Sequence, residues 1–275
     1  MHAKTWSMYL AGAFSALFAL PALSAEPCLK SAARTAQLEA AGATKAVITA
    51  GAGELRVRGE RGRAQLQADG QACGSSQAVL DQIQLESRRE GATLIIKTVL
   101  PEGGVSDGYA RLDLTVVLPD NLEVSIEDSS GPFALQNVRS AVLTDSSGDL
   151  EIRDIAGDLT VTDSSGQIEI ARVGGNLSVN DGSGDLAIDE VRGEVRIPVD
   201  SSGSIRIRRA GSVHIVTDSS GDISIAQVLG DVLVDNDSSG DIAVTQVGGK
   251  FTVSNDGSGS IRQQNVAGAV SLPAR

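Results

Sequence analysis

One tetrapeptide, Asp-(Ser/Gly)-Ser-Gly, occurs eight times in the second half of the chain. Successive copies begin 17, 18, 18, 19, 18, 19 and 19 residues apart, at Asp128, Asp145, Asp163, Asp181, Asp200, Asp218, Asp237 and Asp256. A fixed period of this length indicates a solenoid, because one short unit buries too little apolar surface to fold without copies of itself above and below. This repeat constrains the fold more than any other feature of the sequence.

Each repeat also carries an apolar pattern. After Gly148, for example, the apolar residues are Leu150, Ile152, Ile155, Leu159 and Val161. Alternation with period two and many β-branched residues predicts strands of about five residues, and equivalent strands of adjacent turns pair in parallel about 4.8 Å apart. The sequence therefore predicts an all-β fold, a parallel β-solenoid (β-helix) of about 18 to 19 residues per turn, right-handed and with two main sheets.

The N-terminus has the pattern of a secretory signal peptide. Lys4 precedes an apolar run from Trp6 to Leu23, and small residues end at Ala25. We expect residues 1–25 to be a signal peptide, residues 26–127 an N-terminal cap with the irregular opening strands, and residues 128–275 the regular solenoid. An N-terminal membrane anchor is the alternative for the apolar run; after signal cleavage, no membrane insertion is expected.

Cleavage after Ala25 would leave few aromatic residues and only one histidine for binding or catalysis. The aromatic residues that remain are Tyr109, Phe133 and Phe251, and the one histidine that remains is His214. Without Lys4 the chain has 22 basic and 35 acidic residues, a net charge of −13. Such a surface repels nucleic acid and anionic lipid, so neither is an expected partner.

The two cysteines of the sequence are Cys28 and Cys73. In an oxidising compartment outside the cytoplasm they predict one disulfide that staples the cap. A metal site is the less favoured interpretation, because two thiols without nearby histidines do not complete a tetrahedral zinc site.

The leader, the strands that end in VVLPDNLEVSIEDSSG, and the following copies of DSSGD(I/L)x(I/V) with VxGD(V/L)xV resemble a bacterial "putative adhesin" β-strand-repeat family of exported proteins. The resemblance covers about residues 45–272. It implies a β-solenoid and a location in the bacterial envelope. The family brings no functional residues that could be transferred to this chain.

The aspartates of the tetrapeptide form what we call the Asp ladder, and two interpretations of it are open. Aspartate and serine cap turns by accepting amide hydrogen bonds, while glycine supplies positive φ. Stacked carboxylates in water repel by only about 1 kcal/mol per pair, so an exposed ladder is tolerable and a buried one is not. The alternative is that the aspartates bind calcium. Each repeat divides into two halves of about nine residues, which is similar in length to a calcium-binding β-roll unit. A second acid after the ladder glycine occurs in only four copies, at Asp149, Asp185, Asp222 and Asp241, so we expect no cofactor.

Two further groups of residues are candidate sites. His214 lies in an alternating strand and is expected to face outward, without the Gly-x-Ser-x-Gly context of a serine hydrolase. The basic cluster Arg206, Arg208 and Arg209 could bind an acidic polysaccharide, but the favoured interpretation is a solvated bend on an acidic protein that needs mixed charge.

The sequence thus predicts a non-enzymatic protein with no catalytic residues, exported to the periplasm, the cell surface or the medium. Its expected role is a structural or interaction (adhesin-like) module of the bacterial cell envelope, with another envelope protein or a surface polymer as partner. The alternative is a polysaccharide-binding or polysaccharide-active β-helix protein.

Overall fold

The computed structural model describes residues 28–101, 104–105 and 108–274. The expected signal peptide therefore lies outside the described residues. Strands make up 63% of the structure, which is a parallel β-solenoid of about eight turns with about 19 residues per turn. The predicted fold class is confirmed, and the hand of the winding stays a prediction.

The first part of the chain contains eight elements. They are β1 (Lys30–Glu39), β2 (Lys45–Thr49), β3 (Leu55–Glu60), β4 (Gln65–Gly74), α1 (Gln77–Leu80), β5 (Gln84–Glu90), β6 (Thr93–Val99) and β7 (Ala110–Pro119). The sequence predicts strands in ELRVRG at 54–59, ATLIIKTVLP at 92–101 and ARLDLTVVLPD at 110–120, and β3, β6 and β7 confirm them. The helix α1 was not predicted.

The repeats form the remaining strands. They are β8 (Glu123–Glu127), β9 (Phe133–Val138), β10 (Ser140–Thr144), β11 (Leu150–Ile155), β12 (Leu159–Asp163), β13 (Ile168–Val173), β14 (Leu177–Asp181), β15 (Leu186–Ile197), β16 (Ile205–Asp218), β17 (Ile223–Val228), β18 (Val232–Asp237), β19 (Ile242–Val247), β20 (Phe251–Asp256), β21 (Ile261–Val266) and β22 (Val270–Ser271). Each repeat supplies two strands, except that β15 and β16 each run continuously through both half-turns.

The pairings form two parallel ladders. Sheet A has the order β6-β2-β8-β10-β12-β14-β15-β16-β18-β20-β22, and sheet B has the order β7-β3-β9-β11-β13-β15-β16-β17-β19-β21. Equivalent residues stack in register, as Leu150 does on Ile168. Their inward side chains form one continuous apolar core from Ala40 to Val253.

The opening turns are not stacked in chain order. The turn made by β2 and β3 lies between the later turn β6–β7 and the turn β8–β9. Between these passes the chain leaves the solenoid and forms antiparallel strands: β4 pairs with β1 and β7, and β5 pairs with β6. These strands cover the first edge of both sheets, which would otherwise present unpaired backbone groups.

A second, smaller apolar cluster lies under this cap and contains Ala72, Leu80, Ile83 and Leu112. The predicted disulfide joins Cys28 and Cys73, with the two Cα atoms 5.3 Å apart. It ties the residues before β1 to the end of β4, so it staples the cap as expected.

A column of left-handed residues shapes sheet B. In every regular turn one non-glycine residue has φ between 55° and 64°, namely Asn137, Asp154, Arg172, Glu190, Arg209, Gln227, Gln246 and Asn265. In β11, Ile152 and Ile155 both face inward although they are three residues apart, which strict alternation does not allow. Asp154, with its left-handed backbone, is itself the extra residue in the alternation. Because of it, the side chain of Ile155 again faces the core.

These left-handed positions yield a testable prediction. Gln227 has φ 61°, is exposed, and has no hydrogen bond or ion pair to any described residue. Left-handed backbone costs an L-residue about 1–2 kcal/mol, while glycine loses about 0.5–1 kcal/mol of extra chain entropy. We expect Gln227→Gly to raise the free energy of unfolding by up to about 1 kcal/mol and Gln227→Val to lower it by a similar amount. Urea denaturation measures both, and equal losses in the two variants would contradict this account.

Candidate functional site

The Asp ladder is buried, which corrects the expectation from the sequence. The seven aspartates from Asp128 to Asp237 are between 0% and 5% exposed. Neighbours stack in register, as Asp200 does between Asp181 and Asp218. Alternation explains the burial, because in β12 the inward series Leu159 and Val161 continues to Asp163. An exposed serine follows six of these seven aspartates and half-buried Gly182 follows Asp181, and these residues form the corner outside the ladder.

The ladder carboxylates have few partners. The amide of Ser129 donates to Asp128 Oδ1 at 2.9 Å and the amide of Ser164 donates to Asp163 Oδ1 at 2.8 Å. Within the described part of the chain, Asp145, Asp200, Asp218 and Asp237 accept no hydrogen bond of good geometry, although the backbone amides of the serines that follow them still favour the charged form. The carboxylate oxygens of these aspartates lie close to like groups one turn away.

Burial therefore shifts the ladder toward the protonated form. Loss of hydration is the main cause that raises the pKa of Asp128, Asp200 and Asp218 to about 7 and of Asp163 and Asp237 to about 6. Repulsion between neighbouring ladder carboxylates adds to the rise in each of these five. The pKa values of Asp145 and Asp181 are raised by burial as well.

The chemistry available to the ladder is structural. Among residues 28–101, 104–105 and 108–274, no three or more His, Cys, Asp or Glu side chains are grouped in a way that could hold a metal ion. The acids after the ladder glycines act elsewhere: Asp149, Asp185, Asp222 and Asp241 each accept the amide of the equivalent residue in the next turn. The observed contacts of these residues are therefore those of turn chemistry.

The outward surface of sheet B carries a different group of charges, which we call the arginine face. Its defining residues are Arg56, Arg58, Arg153, Arg206 and Arg208. Each lies at an outward position directly after a buried residue of its strand, as Arg206 does after Ile205 and Arg208 after Ile207. Stacking aligns them in two columns. One column runs Arg58, Gln136, Arg153, Ala171, Asp189, Arg208, and the other runs Arg56, Ala134, Glu151, Glu169, Ala187, Arg206.

A shallow depression of about 360 Å³ lies in this face, bordered by Arg153 on one side and by Arg206 and Arg208 on the other. Its floor is low because Ala171 and Ala187 lack the long side chains of their neighbours. A second depression of about 340 Å³ surrounds Ala134, beside Arg56 and Arg58. The face is therefore a pair of shallow troughs separated by Glu151 and Arg153.

Arg206 and Arg208 differ from the other arginines of the face. Arg153 pairs with Glu151 at 2.5 Å and Arg58 pairs with Glu60 at 2.5 Å. Arg206 and Arg208 are exposed and form no ion pair or hydrogen bond with the residues that the structure describes. On a strongly acidic protein, two unpaired guanidinium groups beside a depression are available for an anionic ligand.

The predicted basic cluster is thus divided by the structure. Arg206 and Arg208 lie together on the arginine face, whereas Arg209 has a left-handed backbone and its guanidinium group is paired with Asp189. Arg56, Arg58 and Arg153 belong to the same surface but were not among the predicted residues. Arg153 lies five residues after Gly148, as Arg208 does after Gly203, so the repeat itself contained a signal for their alignment. The alignment of Arg56 and Arg58 with them depends on the inverted order of the opening turns.

His214 lies on the outer surface of sheet A, as predicted, between buried Val213 and Ile215. Its Nε2 is 2.8 Å from Asp235 Oδ2, and its Nδ1 is 2.6 Å from a guanidinium nitrogen of Arg196. Because the guanidinium only donates, the Nε2–H of a neutral imidazole donates to Asp235. Among the described residues, no serine hydroxyl is hydrogen-bonded to this histidine.

Comparison with known protein families identifies the family of this sequence. The profile of the Toastrack DUF4097 family matches residues 47–265. The chain belongs to this family. Membership agrees with the β-strand-repeat, adhesin-like resemblance recognised in the sequence. A search of curated proteins finds no match.

Several solved structures are similar to this Toastrack chain. One from Parabacteroides distasonis, described as a "putative lipid binding protein", is 17% identical, with 88% of this chain and 97% of that chain covered and a TM-score of 0.47. One from Bacteroides fragilis, described as a "putative adhesin", is 14% identical, with 90% and 99% covered and a TM-score of 0.40. One from Clostridium sporogenes, described as a "putative cell adhesion protein", is 12% identical, with 88% and 99% covered and a TM-score of 0.28.

The described part of the Toastrack chain has no helix that is long and apolar enough to cross a membrane.

Proposed function

We propose that this chain is an exported, non-catalytic interaction module of the bacterial cell envelope that contacts its partner through the arginine face. The observation that carries the proposal is the pair of unpaired guanidinium groups, Arg206 and Arg208, beside the depression floored by Ala171 and Ala187. The leader sequence supports export, and membership of the Toastrack family supports an adhesin-like role.

The rigidity of the surface supports a binding role. Sheet B continues for ten strands in register above one continuous apolar core. A side chain on such a sheet is held by its neighbours in both adjacent turns, so a ligand meets a largely preformed surface and loses little affinity to protein ordering.

The local chemistry also favours binding over catalysis. Ladder serine hydroxyls donate to backbone carbonyls of the preceding turn, as Ser165 does to Ser146 and Ser220 does to Ser201. His214 is held by Asp235 and Arg196 on the opposite sheet. A nucleophile requires an adjacent base to be activated, and these contacts direct the hydroxyls and the imidazole elsewhere.

Crosslinking in intact cells tests this proposal. A photoreactive amino acid at Ala187 would sit on the arginine face, and the same group at Ser178 would sit on the outer surface of sheet A. We expect Ala187 to form adducts with an envelope component and Ser178 to form few, with the protein recovered from extracytoplasmic fractions. Absence of adducts at Ala187 in a folded protein, or recovery from the cytoplasm, would overturn the proposal.

A second function, a polysaccharide-binding or polysaccharide-active β-helix protein, is favoured by the same two arginines. The active version makes a distinct prediction: purified protein would shorten an acidic polysaccharide, and Arg206→Ala would abolish that turnover. We expect no turnover, and its detection by release of new chain ends would overturn the non-catalytic assignment.

A further inference from the structure

We infer that the arginine face binds an extended, carboxylate-bearing polysaccharide that lies along the solenoid axis, across the strands. This inference rests on the proposed function and names the chemical class of its ligand.

The arginine spacing sets the spacing of the ligand's charges. In the column that contains Arg58, Arg153 and Arg208, the first two are separated by two strand steps and the last two by three. At about 4.8 Å per step, the guanidinium groups recur about 10 and 14 Å apart. A matching ligand carries one anionic group at roughly such intervals, as a polysaccharide does when acidic and neutral sugars alternate.

The acids between the arginines select against densely charged polymers. Glu151, Glu169 and Asp189 lie on the same face, with Glu169 and Asp189 at the depression itself. Glu151 is paired with Arg153, and Asp189 is paired with Arg209. Duplex DNA carries a negative charge about every 1.7 Å of its axis and would place phosphates against these carboxylates. Sugar hydroxyl groups in the same places would instead donate hydrogen bonds to them.

The floor of the depression fits a flat polar chain. Ala171 and Ala187 leave room for a sugar ring, but no deep apolar groove for an acyl chain opens there, since the residues beneath, Ile170 and Ile188, are only 2% exposed. Arg153, Arg206 and Arg208 surround this floor and can bind carboxylates through paired N–H groups.

Aromatic stacking is not available on this face. Phe133 and Phe251 are buried in the core, and Tyr109 lies in the cap, where its hydroxyl accepts the amide of Leu29. Recognition of a sugar here therefore depends on charge and hydrogen bonding, so affinity should require the carboxylates of the ligand and fall with salt.

The test uses the purified full chain after export and an oligosaccharide of alternating glucuronate and N-acetylglucosamine. Five strand steps separate Arg58 from Arg208, about 24 Å, so an oligomer of at least eight sugars is used. We expect saturable binding by calorimetry that weakens at least tenfold between 50 and 300 mM NaCl, on the order of the salt effect for several charge contacts. The same oligosaccharide with its carboxylates reduced to alcohols should not bind.

Substitutions test whether the ligand binds to the arginine face. Arg206→Gln and Arg208→Gln should each weaken binding about tenfold, since each removes one charge-assisted contact. Ala187→Glu should weaken it without removing any arginine, by raising the floor and adding a carboxylate. Arg88→Gln, in the cap strand β5, is the matched control and should leave the affinity unchanged; thermal melts check that all four variants are folded.

Three results would overturn the inference: equal binding of the carboxyl-reduced oligosaccharide, binding that survives both arginine substitutions, or preference for polyphosphate over the uronate polymer. If crosslinking from Ala187 then captures only a protein, the proposed function stands while the polysaccharide assignment fails. If Ala187 forms no adduct, the proposed function itself fails.

Discussion

Replacement of Gly221 by alanine is expected to prevent the solenoid from closing its turns, with a loss of more than about 4 kcal/mol of stability. Gly221 has φ +134°, in a region that only glycine occupies readily, and a Cβ there would lie 1.6 Å from the carbonyl oxygen of Gly203 in the preceding turn. The obstructing atom is backbone in a stack of paired strands, so it cannot move aside without disturbing the neighbouring turns.

Alanine substitutions at two other glycines distinguish the effect of backbone conformation from the effect of steric overlap on stability. Gly62 has φ +72° with no atom within 4 Å of a Cβ, so Gly62→Ala tests the backbone conformation alone and should cost about 1 kcal/mol. Gly230 has no positive φ, and its Cβ would lie 2.9 Å from the Gly211 carbonyl oxygen, so Gly230→Ala should fall between the two. Chemical denaturation followed by circular dichroism gives the order, and equal stability of Gly221→Ala and Gly62→Ala would refute the close-packing explanation.

Stability should fall as the pH rises from about 4 to about 7, on the order of several kcal/mol in total. The ladder aspartates have folded pKa values raised from 3.8 to about 6 or 7, so the folded state binds more protons than the unfolded state in that interval. Their favourable contribution is complete below about pH 4 and is lost as the pH rises through the folded pKa values. The melting temperature should therefore be higher at pH 5 than at pH 8.

Asp218→Asn tests whether the ladder is responsible. Asp218 is fully buried and accepts no hydrogen bond of good geometry from a described residue, and the backbone amides of Ser219 and Ser220 offset only part of the rise in its pKa that burial causes. A neutral amide of the same shape removes the buried charge, so the variant should gain about 1–3 kcal/mol at pH 8 and little at pH 4.5. Asp81→Asn, at an exposed position in the cap, is the control and should change neither value. A melting temperature that rises between pH 5 and pH 8, or an equal effect of Asp218→Asn at both values, would contradict the burial mechanism.

The candidate site was only partly predictable. Arg206 and Arg208 could be identified in the sequence because they are close together and occupy alternate positions of one strand. Arg153 could have been added to them, because it has the same position in its repeat as Arg208. Arg58 could not, because its alignment depends on the pairing of β3 with β9, which are distant in sequence. The burial of the ladder did have a signal, the inward series Leu159, Val161, Asp163, but the cost of burying carboxylates argued for the exposed alternative.

The repeating half of the fold is readable from the linear chain because its rule is local and periodic. Each apolar offset repeats one turn later, each ladder glycine meets its own copy, and parallel in-register stacking satisfies both conditions. The opening turns follow no such rule. That β2 and β3 insert between β6–β7 and β8–β9, and that the cap strands cover the first edge, depends on which backbone edges and apolar faces fit together in three dimensions. The same long-range packing brings Arg56 and Arg58 into line with Arg153, so the full extent of the arginine face is decided only when the turns are assembled.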